Sequence, residues 1–202
     1  MNKPMKSVLA VSLMAIAAAT AQAEERPRVD LNGTQPNRIT TPGITYNYVG
    51  ARYMFQSIDS DYECDQDGIN LYGSLDITDG FFAKASFSDV SGDNDCGSNS
   101  FLAGAGYHTA LNERVDMYAT LSFASVSKGD NDSGLEIAGG IRTFLNDKLE
   151  GGVELFHNTY GLEDTGVRGG LNYWFNEDWS LTGDLSLSSD ATTFGIGARY
   201  AF

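Results

Sequence analysis

Two histidines, two cysteines and many carboxylates are the side chains of this 202-residue chain that could carry chemistry. A lipid-modifying site needs a histidine beside a hydroxyl and often a carboxylate. His157 has Ser88 and Thr159 as candidate neighbours, whereas His108 lies near a predicted turn. A lone histidine at a strand end is more typical of an interfacial side chain than of a catalyst. We therefore predict that the protein is not an enzyme and has no catalytic residues.

The two cysteines, Cys64 and Cys96, could form a disulfide or contribute to a zinc site. No other cysteine or histidine lies at zinc-ligand spacing from either of them. Oxidation is the default for a cysteine pair in an exported chain. The sequence therefore favours a disulfide, with a zinc pair as the alternative.

The acidic stretch Glu63–Gly68 (Glu-x-Asp-x-Asp-Gly) resembles the start of a calcium-binding loop, and 130–132 resembles it less closely. A complete loop also needs a bidentate glutamate at its twelfth position. Counted from Glu63, that position is Ser74, which has no carboxylate. We predict a solvated acidic rim that loosely collects divalent cations, with no specific metal site and no cofactor.

The beginning of the chain is typical of an export signal. Lys3 and Lys6 supply positive charge, Val8–Ala19 is a short apolar stretch, and Ala21-Gln22-Ala23 is a small-x-small cleavage site. A membrane-anchoring helix would need about 20 apolar residues. We therefore predict a cleaved signal peptide over 1–23.

Charge and composition narrow the class of the mature chain. Cleavage would remove two lysines and no acid from a chain of net charge −14, which leaves −16. Nucleic-acid binding depends on clustered lysine and arginine, so we exclude nucleic acid as a partner. Residues 24–43 contain three prolines and no apolar periodicity. They predict a flexible periplasmic arm before the folded domain, 44–202.

Apolar and polar residues alternate from Ile44 onward, which is the period of a β-strand. Ten segments share this pattern: Val49–Phe55, Ile69–Ile77, Phe81–Phe87, Phe101–Tyr107, Val115–Phe123, Leu135–Ile141, Leu149–Leu155, Val167–Tyr173, Trp179–Leu187 and Phe194–Phe202. Segments of about ten residues with one apolar and one polar face are the signature of transmembrane β-barrels. The sequence predicts an all-β fold, a closed antiparallel transmembrane β-barrel of ten strands.

A soluble β-sandwich would alternate in the same way. Two features favour the barrel: charges throughout the polar faces, and connections that alternate between short and long. The short connections are 78–80, 109–114, 145–148 and 175–178, and the outer ones are 57–67, 89–99, 127–134, 158–166 and 189–191. Outer-membrane barrels place short turns in the periplasm and longer loops outside.

The polar faces predict a lumen of nearly balanced charge. Its acids are Asp76, Asp116, Glu136, Glu150, Glu154 and Asp184, and its bases are Arg52, Lys84, Arg142, Arg168 and Arg199. Confined charges are tolerated when they are paired. Bulky lumen residues leave ten strands little spare diameter: Tyr72, Phe82, Tyr118, Phe156 and Trp174. The pattern favours an ion-paired lumen that holds the barrel together, with a slow pore or a dedicated binding cavity as alternatives.

Aromatic residues concentrate near the predicted strand ends. They are Phe81, Phe144, Phe175 and Trp179 on the turn side, and Phe55, Phe87, Phe101 and Phe123 on the loop side. Amphipathic rings favour the headgroup level of a bilayer, so the distribution predicts two girdles.

The last strand, Phe194–Phe202, resembles the C-terminal β-signal that the outer-membrane assembly machinery recognises in its clients. Gly197, Tyr200 and Phe202 carry the match, while Gly195 replaces the polar residue usual at that position. The resemblance implies that these three residues form an assembly signal and that this machinery is a partner during biogenesis.

Ile44–Val49 and Asn176–Asp184 are also similar to segments of small outer-membrane porin-like barrels, some of which have been described as diffusible-signal-related proteins. This resemblance spans most of 46–202. It implies a non-enzymatic barrel in the bacterial outer membrane, in contact with its lipids and lipopolysaccharide.

We therefore predict an integral outer-membrane protein with a structural or narrow-pore permeability role. The alternative is a surface interaction or adhesion module that acts through the outer loops, which together carry a net charge of −12. No oligomeric state follows from the sequence.

Overall fold

The computed structural model describes residues 43–58, 64–92, 96–128, 130–160 and 163–202. Within these ranges, consecutive antiparallel strands form a closed barrel of ten. They are β1 (Tyr48–Ile58), β2 (Cys64–Thr78), β3 (Phe81–Gly92), β4 (Gly97–Asn112), β5 (Val115–Lys128), β6 (Asp130–Phe144), β7 (Leu149–Asn158), β8 (Asp164–Trp174), β9 (Trp179–Ser188) and β10 (Ala191–Ala201). The predicted fold class, a closed antiparallel barrel of ten strands, is confirmed.

Closure depends on β1 and β10, which pair along their whole length from Tyr48↔Ala201 to Ile58↔Ala191. Each other strand pairs with its neighbours in the chain. The predicted signal peptide and nearly all of the predicted arm lie outside the described residues. Among the described residues, no helix is long and apolar enough to span a membrane.

The strand faces follow the alternation of the sequence. The most exposed large apolar side chains point outward and are 36% to 67% exposed, with Ile77 and Leu155 near the upper limit. The inner face holds most of the buried polar and charged residues, including Glu136 and Glu150. The barrel therefore has the reverse polarity of a water-soluble domain.

Short turns close one end of the barrel, which we call the turn end. Three of them begin with an asparagine whose Oδ1 accepts backbone N–H groups two or three residues later: Asn112, Asn146 and Asn176. In the fourth turn, Gly80 has a φ of 79°, which a residue with a Cβ rarely adopts. Each strand ends at these turns. The asparagine side chains accept backbone N–H groups that would otherwise continue the strand pairing, and Gly80 reverses the direction of the chain.

The opposite end, which we call the loop end, is uneven in height. Strands β2–β6 contain 12 to 16 residues, whereas β7–β10 and β1 contain 10 or 11. The predicted connection 127–134 was too long, since β5 and β6 stay paired up to Lys128↔Asp130. The predicted connection 57–67 likewise includes the end of β1 and the start of β2. Backbone pairing continues past the point where the apolar alternation stops, so polarity alone underestimates strand length.

One predicted girdle aromatic has the wrong orientation. Phe144 is 4% exposed and packs inside the barrel with Trp174 and Ala201. It follows Thr143, which stands on the outer face of β6 in line with Ile141, so the alternation turns Phe144 inward. By contrast, Phe81, Phe175 and Trp179 are outward and about half exposed.

Candidate functional site

The candidate functional site is the lumen, because the structure places all of the predicted lumen charges on the inner face. Nine of these eleven charges form three groups, at the middle of the barrel on two walls and at the turn end, and the other two, Asp76 and Asp116, contact His108. Each group contains both signs of charge, and most contacts join strands that are distant in sequence.

The first group is a chain of ion pairs centred on Glu136, whose side chain is fully buried. Arg168 contacts Glu136 at 2.6 Å through Nη2 and Glu154 at 2.7 Å through Nη1. Lys84 Nζ lies 3.7 Å from the second oxygen of Glu136. The guanidinium of Arg168 also covers the ring of Phe156, 3.8 Å from its centroid. A buried carboxylate with two cationic partners stays ionised and fixes the positions of β3, β6, β7 and β8 relative to one another.

The second group lies on the wall formed by β2, β1, β10 and β9. Arg52 Nη1 lies 2.7 Å from Asp184 Oδ1, and its Nε donates to Asn70 Oδ1 at 2.9 Å. Gly195 leaves room for this pair. A Cβ at that position would lie 2.9 Å from one carboxylate oxygen of Asp184 and 3.1 Å from Cδ of Arg52.

The third group, which we call the inner-end cluster, consists of Arg142, Glu150, Trp174 and Arg199. Glu150 accepts from Arg142 Nη2 and Arg199 Nη2, each at 2.6 Å, and from Trp174 Nε1 at 3.1 Å. Glu150, Trp174 and Arg199 are at most 5% exposed, and Arg142 is 8% exposed. The cluster blocks one side of the lumen at the turn end.

His108 belongs to the lumen, although the sequence indicated only a turn-side position for it. Its Nδ1 lies 3.1 Å from Asp116 and its Nε2 lies 3.4 Å from Asp76, so it bridges two of the predicted lumen acids. The alternation of β4 could have revealed this, because His108 has the same parity as the inward Gly106.

The segment before β1 is the main feature that the sequence did not reveal. In this N-terminal segment, Gly43–Asn47, Tyr46 is 2% exposed and Thr45 is 8% exposed. The Tyr46 ring stacks on His108 with 4.1 Å between centroids and contacts Phe82 at 4.4 Å. Thr45 and Tyr46 thus enter the turn end of the lumen.

A cavity of about 750 Å³ occupies the rest of the lumen. Tyr46 and Arg142 line it at the turn end, and Asp132 and Asp190 line it at the loop end. Tyr160 in the β7–β8 connection also contributes, and its hydroxyl donates to Glu136 at 3.3 Å. Burial raises the pKa of Tyr160 above its ordinary value, and the neighbouring Glu136 carboxylate adds to the effect, so the hydroxyl stays protonated as a donor.

Cys64 and Cys96 form a disulfide with 6.0 Å between Cα atoms, which confirms that prediction. Cys64 opens β2 and Cys96 precedes β4, so the bond connects the strands on either side of β3 at the loop end.

Among the described residues, no group of histidine, cysteine and carboxylate side chains is arranged to hold a metal. Glu63, the first residue of the calcium-like stretch, lies outside them, while Asp65 is part of β2 and accepts from Ser57 at 2.7 Å.

His157 lies on the outer face of β7, at the loop end. Its Nδ1 is 2.9 Å from Thr165 Oγ1, and its Nε2 is 3.9 Å from an exposed Glu163 carboxylate. The prediction of Ser88 as a neighbour of His157 was wrong, because the Ser88 side chain points into the lumen and accepts a hydrogen bond from Asn70 at 2.8 Å. Thr159 accepts the backbone N–H of Leu135.

The residues of the predicted assembly signal lie at the β1–β10 seam. Tyr200 faces outward, with its ring 5.0 Å from that of Trp179, and the Phe202 N–H donates to Asn47 O at 3.2 Å. Gly197 faces inward. A Cβ there would come within 2.1 Å of Ala51 O, so the two strands approach too closely for a larger residue.

No protein-family model matches this chain, and no curated protein matches it. Among solved structures, it is similar to a KdgM porin in complex with disordered oligogalacturonate, at 14% identity over 77% of this chain and 99% of that chain, with a TM-score of 0.48. It is also similar to Ail, the attachment invasion locus protein of Yersinia pestis, at 15% identity over 77% of this chain and 97% of that chain, with a TM-score of 0.40. A third similar structure is Neisserial surface protein A, at 13% identity over 77% of this chain and 96% of that chain, with a TM-score of 0.43. Similarity of this degree identifies neither a solute nor a partner for this chain.

Proposed function

We propose that this chain is a non-enzymatic, integral β-barrel of a bacterial outer membrane with a structural or narrow-pore permeability role. The observation that carries the proposal is the outward belt of large apolar side chains around a closed barrel. Monomeric soluble proteins rarely expose contiguous apolar patches beyond a few hundred Å². In the hydrocarbon of a bilayer, outward apolar side chains are no longer exposed to water. A closed sheet also leaves no unpaired backbone edge in the hydrocarbon.

The signal-like residues 1–23 and the β-signal-like end of the chain support the outer membrane as the location. The turn end then faces the periplasm, because short turns lie there in outer-membrane barrels. Contact with lipopolysaccharide would take place at the loop end. The resemblance to diffusible-signal-related proteins stays a prediction.

The lumen supports a narrow pore at most. Its charges are joined into ion pairs across the interior, and the inner-end cluster with Tyr46 narrows the turn end. A solute that passes would have to displace groups that already satisfy one another, so we expect slow conduction of small ions. The acidic loop end concentrates cations, which favours weak cation selectivity at low salt.

Planar-bilayer recording of the refolded protein tests this role. We expect small, weakly cation-selective conductance, which would support the pore. Large anion-selective currents would contradict it. Fractionation of cells should recover the protein with the outer membrane, and recovery in the soluble periplasmic fraction would overturn the membrane assignment.

The uneven height of the barrel favours a second candidate, a surface interaction module. A spanning strand needs about 9–11 residues, and four of the five strands β2–β6 exceed that by several residues. At the loop end, β5 and β6 project as a paired wall up to Lys128↔Asp130, on which Asp132 and Ser133 are exposed, whereas the extra residues of β4 after Tyr107 lie at the turn end. Exchange of this wall for a short turn should abolish partner capture or adhesion, and unchanged adhesion would exclude this candidate.

A further inference from the structure

The N-terminal segment enters the lumen and meets a side chain from the opposite wall. β1 begins at Tyr48, and β6 stands opposite β1 in the ring of strands. Arg142 of β6 donates from Nη1 to the carbonyl oxygen of Thr45 at 3.0 Å and places its guanidinium 4.7 Å from the Tyr46 ring centroid. The segment and the long side chain of Arg142 together therefore span the lumen between β1 and β6.

Four side chains from different strands form a socket for Tyr46: Phe82, His108, Tyr118 and Arg142. His108 stacks almost parallel to the ring, and Tyr118 meets its edge with 6.2 Å between centroids. Aromatic stacking and a cation over a ring are both attractive, most of all where water is excluded. The socket therefore holds one aromatic side chain at the periplasmic end of the cavity.

The segment can leave this socket without opening the barrel. The ladders of β1 with β2 and β10 both begin at Tyr48, so Gly43–Asn47 contribute no strand pair. Arg142 would keep both of its bonds to Glu150, at 2.6 and 2.9 Å. Asn47 would give up two bonds, from the N–H groups of Asp76 and Phe202.

We propose that Thr45 and Tyr46 form a displaceable plug that closes the periplasmic end of the lumen, and that withdrawal of Tyr46 from its socket opens a continuous path. The proposal rests on the pore role proposed above and specifies its gate. With the plug withdrawn, the 750 Å³ cavity gains the space between Phe82, His108 and Arg142. Asp76 and Asp116 then line the opening beside His108, so the open state is expected to prefer cations.

Single-channel recording of the full mature chain, refolded into planar bilayers, tests the plug. Tyr46→Ala removes the ring from the socket, and we expect its open probability to exceed that of the wild type at least tenfold. Tyr46→Phe is the matched control, because it keeps the stacking ring and loses only the hydroxyl, and it should stay as closed as the wild type. Heat-modifiable gel mobility establishes that each variant has folded.

A second variant changes the socket instead of the N-terminal segment. His108→Ala removes the stacking partner and leaves the segment unchanged, and it should also raise the open probability. If both alanine variants fold and conduct at the wild-type level, the plug is overturned, while a measurable wild-type conductance leaves the pore role intact. If wild type and variants are all silent, the plug and the pore role both fail. Silence in the wild type with conduction in Tyr46→Ala supports the plug.

Discussion

Glu150 shows how single residues organise the inside of this barrel. It is 1% exposed and accepts from two arginines and a tryptophan on three different strands. Burying any one of these charges alone would be costly, but together the two guanidinium groups and the carboxylate offset one another's charge. The group is therefore stable only as a whole, which makes its central acid the sensitive position.

Glu150→Gln should lower the free energy of unfolding by about 3–5 kcal/mol, because it leaves Arg142 and Arg199 buried without their counter-charge. Guanidinium unfolding in detergent, followed by tryptophan fluorescence, measures the change. Asp147→Asn is the control. Asp147 pairs with Arg114 at 3.5 Å on an exposed turn, so its loss should cost less than about 1 kcal/mol. Equal effects of the two substitutions would contradict the stabilising role of the cluster.

The seam between β1 and β10 is the element on which closure depends. All other neighbouring strands are joined by a connection in the chain, whereas these two meet only through their ladder. Gly195 and Gly197 lie on its inner face, one beside the Arg52–Asp184 pair and the other against the backbone of β1. The glycine that departs from the usual β-signal pattern thus has a local reason, the space required by that ion pair.

Gly197→Ala should impair barrel closure, because the new Cβ would lie 2.1 Å from Ala51 O and force the two backbones apart. Overpacking of this kind costs about 1–3 kcal/mol. Gly183→Ala is the control, since nothing lies within 4 Å of a Cβ there. Refolding yield into lipid vesicles measures the effect. A normal yield for Gly197→Ala would show that the seam tolerates a wider spacing.

The disulfide acts on the loop ends of two strands. In the chain-entropy model, closing a loop of this size contributes roughly 3–4 kcal/mol. Because strand ladders close the barrel independently, replacing Cys64 and Cys96 by serine should loosen the loop end rather than unfold the barrel. Hydrogen exchange should rise at the start of β2 and β4 and stay unchanged at the turn end. Wild-type protein with two alkylatable thiols before reduction would contradict the bond.

At the scale of the whole molecule, the end of the chain is expected to direct assembly. We propose that Gly197, Tyr200 and Phe202 are read by the outer-membrane assembly machinery. Phe202→Asp should reduce the amount of folded protein in the outer membrane severalfold, whereas Tyr200→Phe, which keeps the aromatic ring, should not. Quantitative immunoblotting of membrane fractions measures both. Normal levels of Phe202→Asp would rule out this assembly signal.

The sequence by itself determined the strands, their faces and their order. Alternation with a period of two assigns each side chain of a strand to one face, so Arg52, Glu136 and Arg199 could be assigned to the lumen without a structure. Short turns between consecutive strands make antiparallel neighbours, and an even number of strands lets the first meet the last. The strand ends were less predictable, because backbone pairing at the loop end needs no apolar pattern.

Only the tertiary structure decided which charges meet and what closes the turn end. Arg52 and Asp184 are 132 residues apart, and Arg142 reaches Thr45 over 97. Which of these residues meet depends on the register of every strand pair between them and on the strand tilt that barrel closure imposes. A local sequence pattern contains neither quantity. Tyr46 precedes the first predicted segment, Val49–Phe55, and no pattern in the sequence indicates which side chains would surround it. Its position in the lumen follows from the socket that four strands, β3 to β6, build once the barrel has closed.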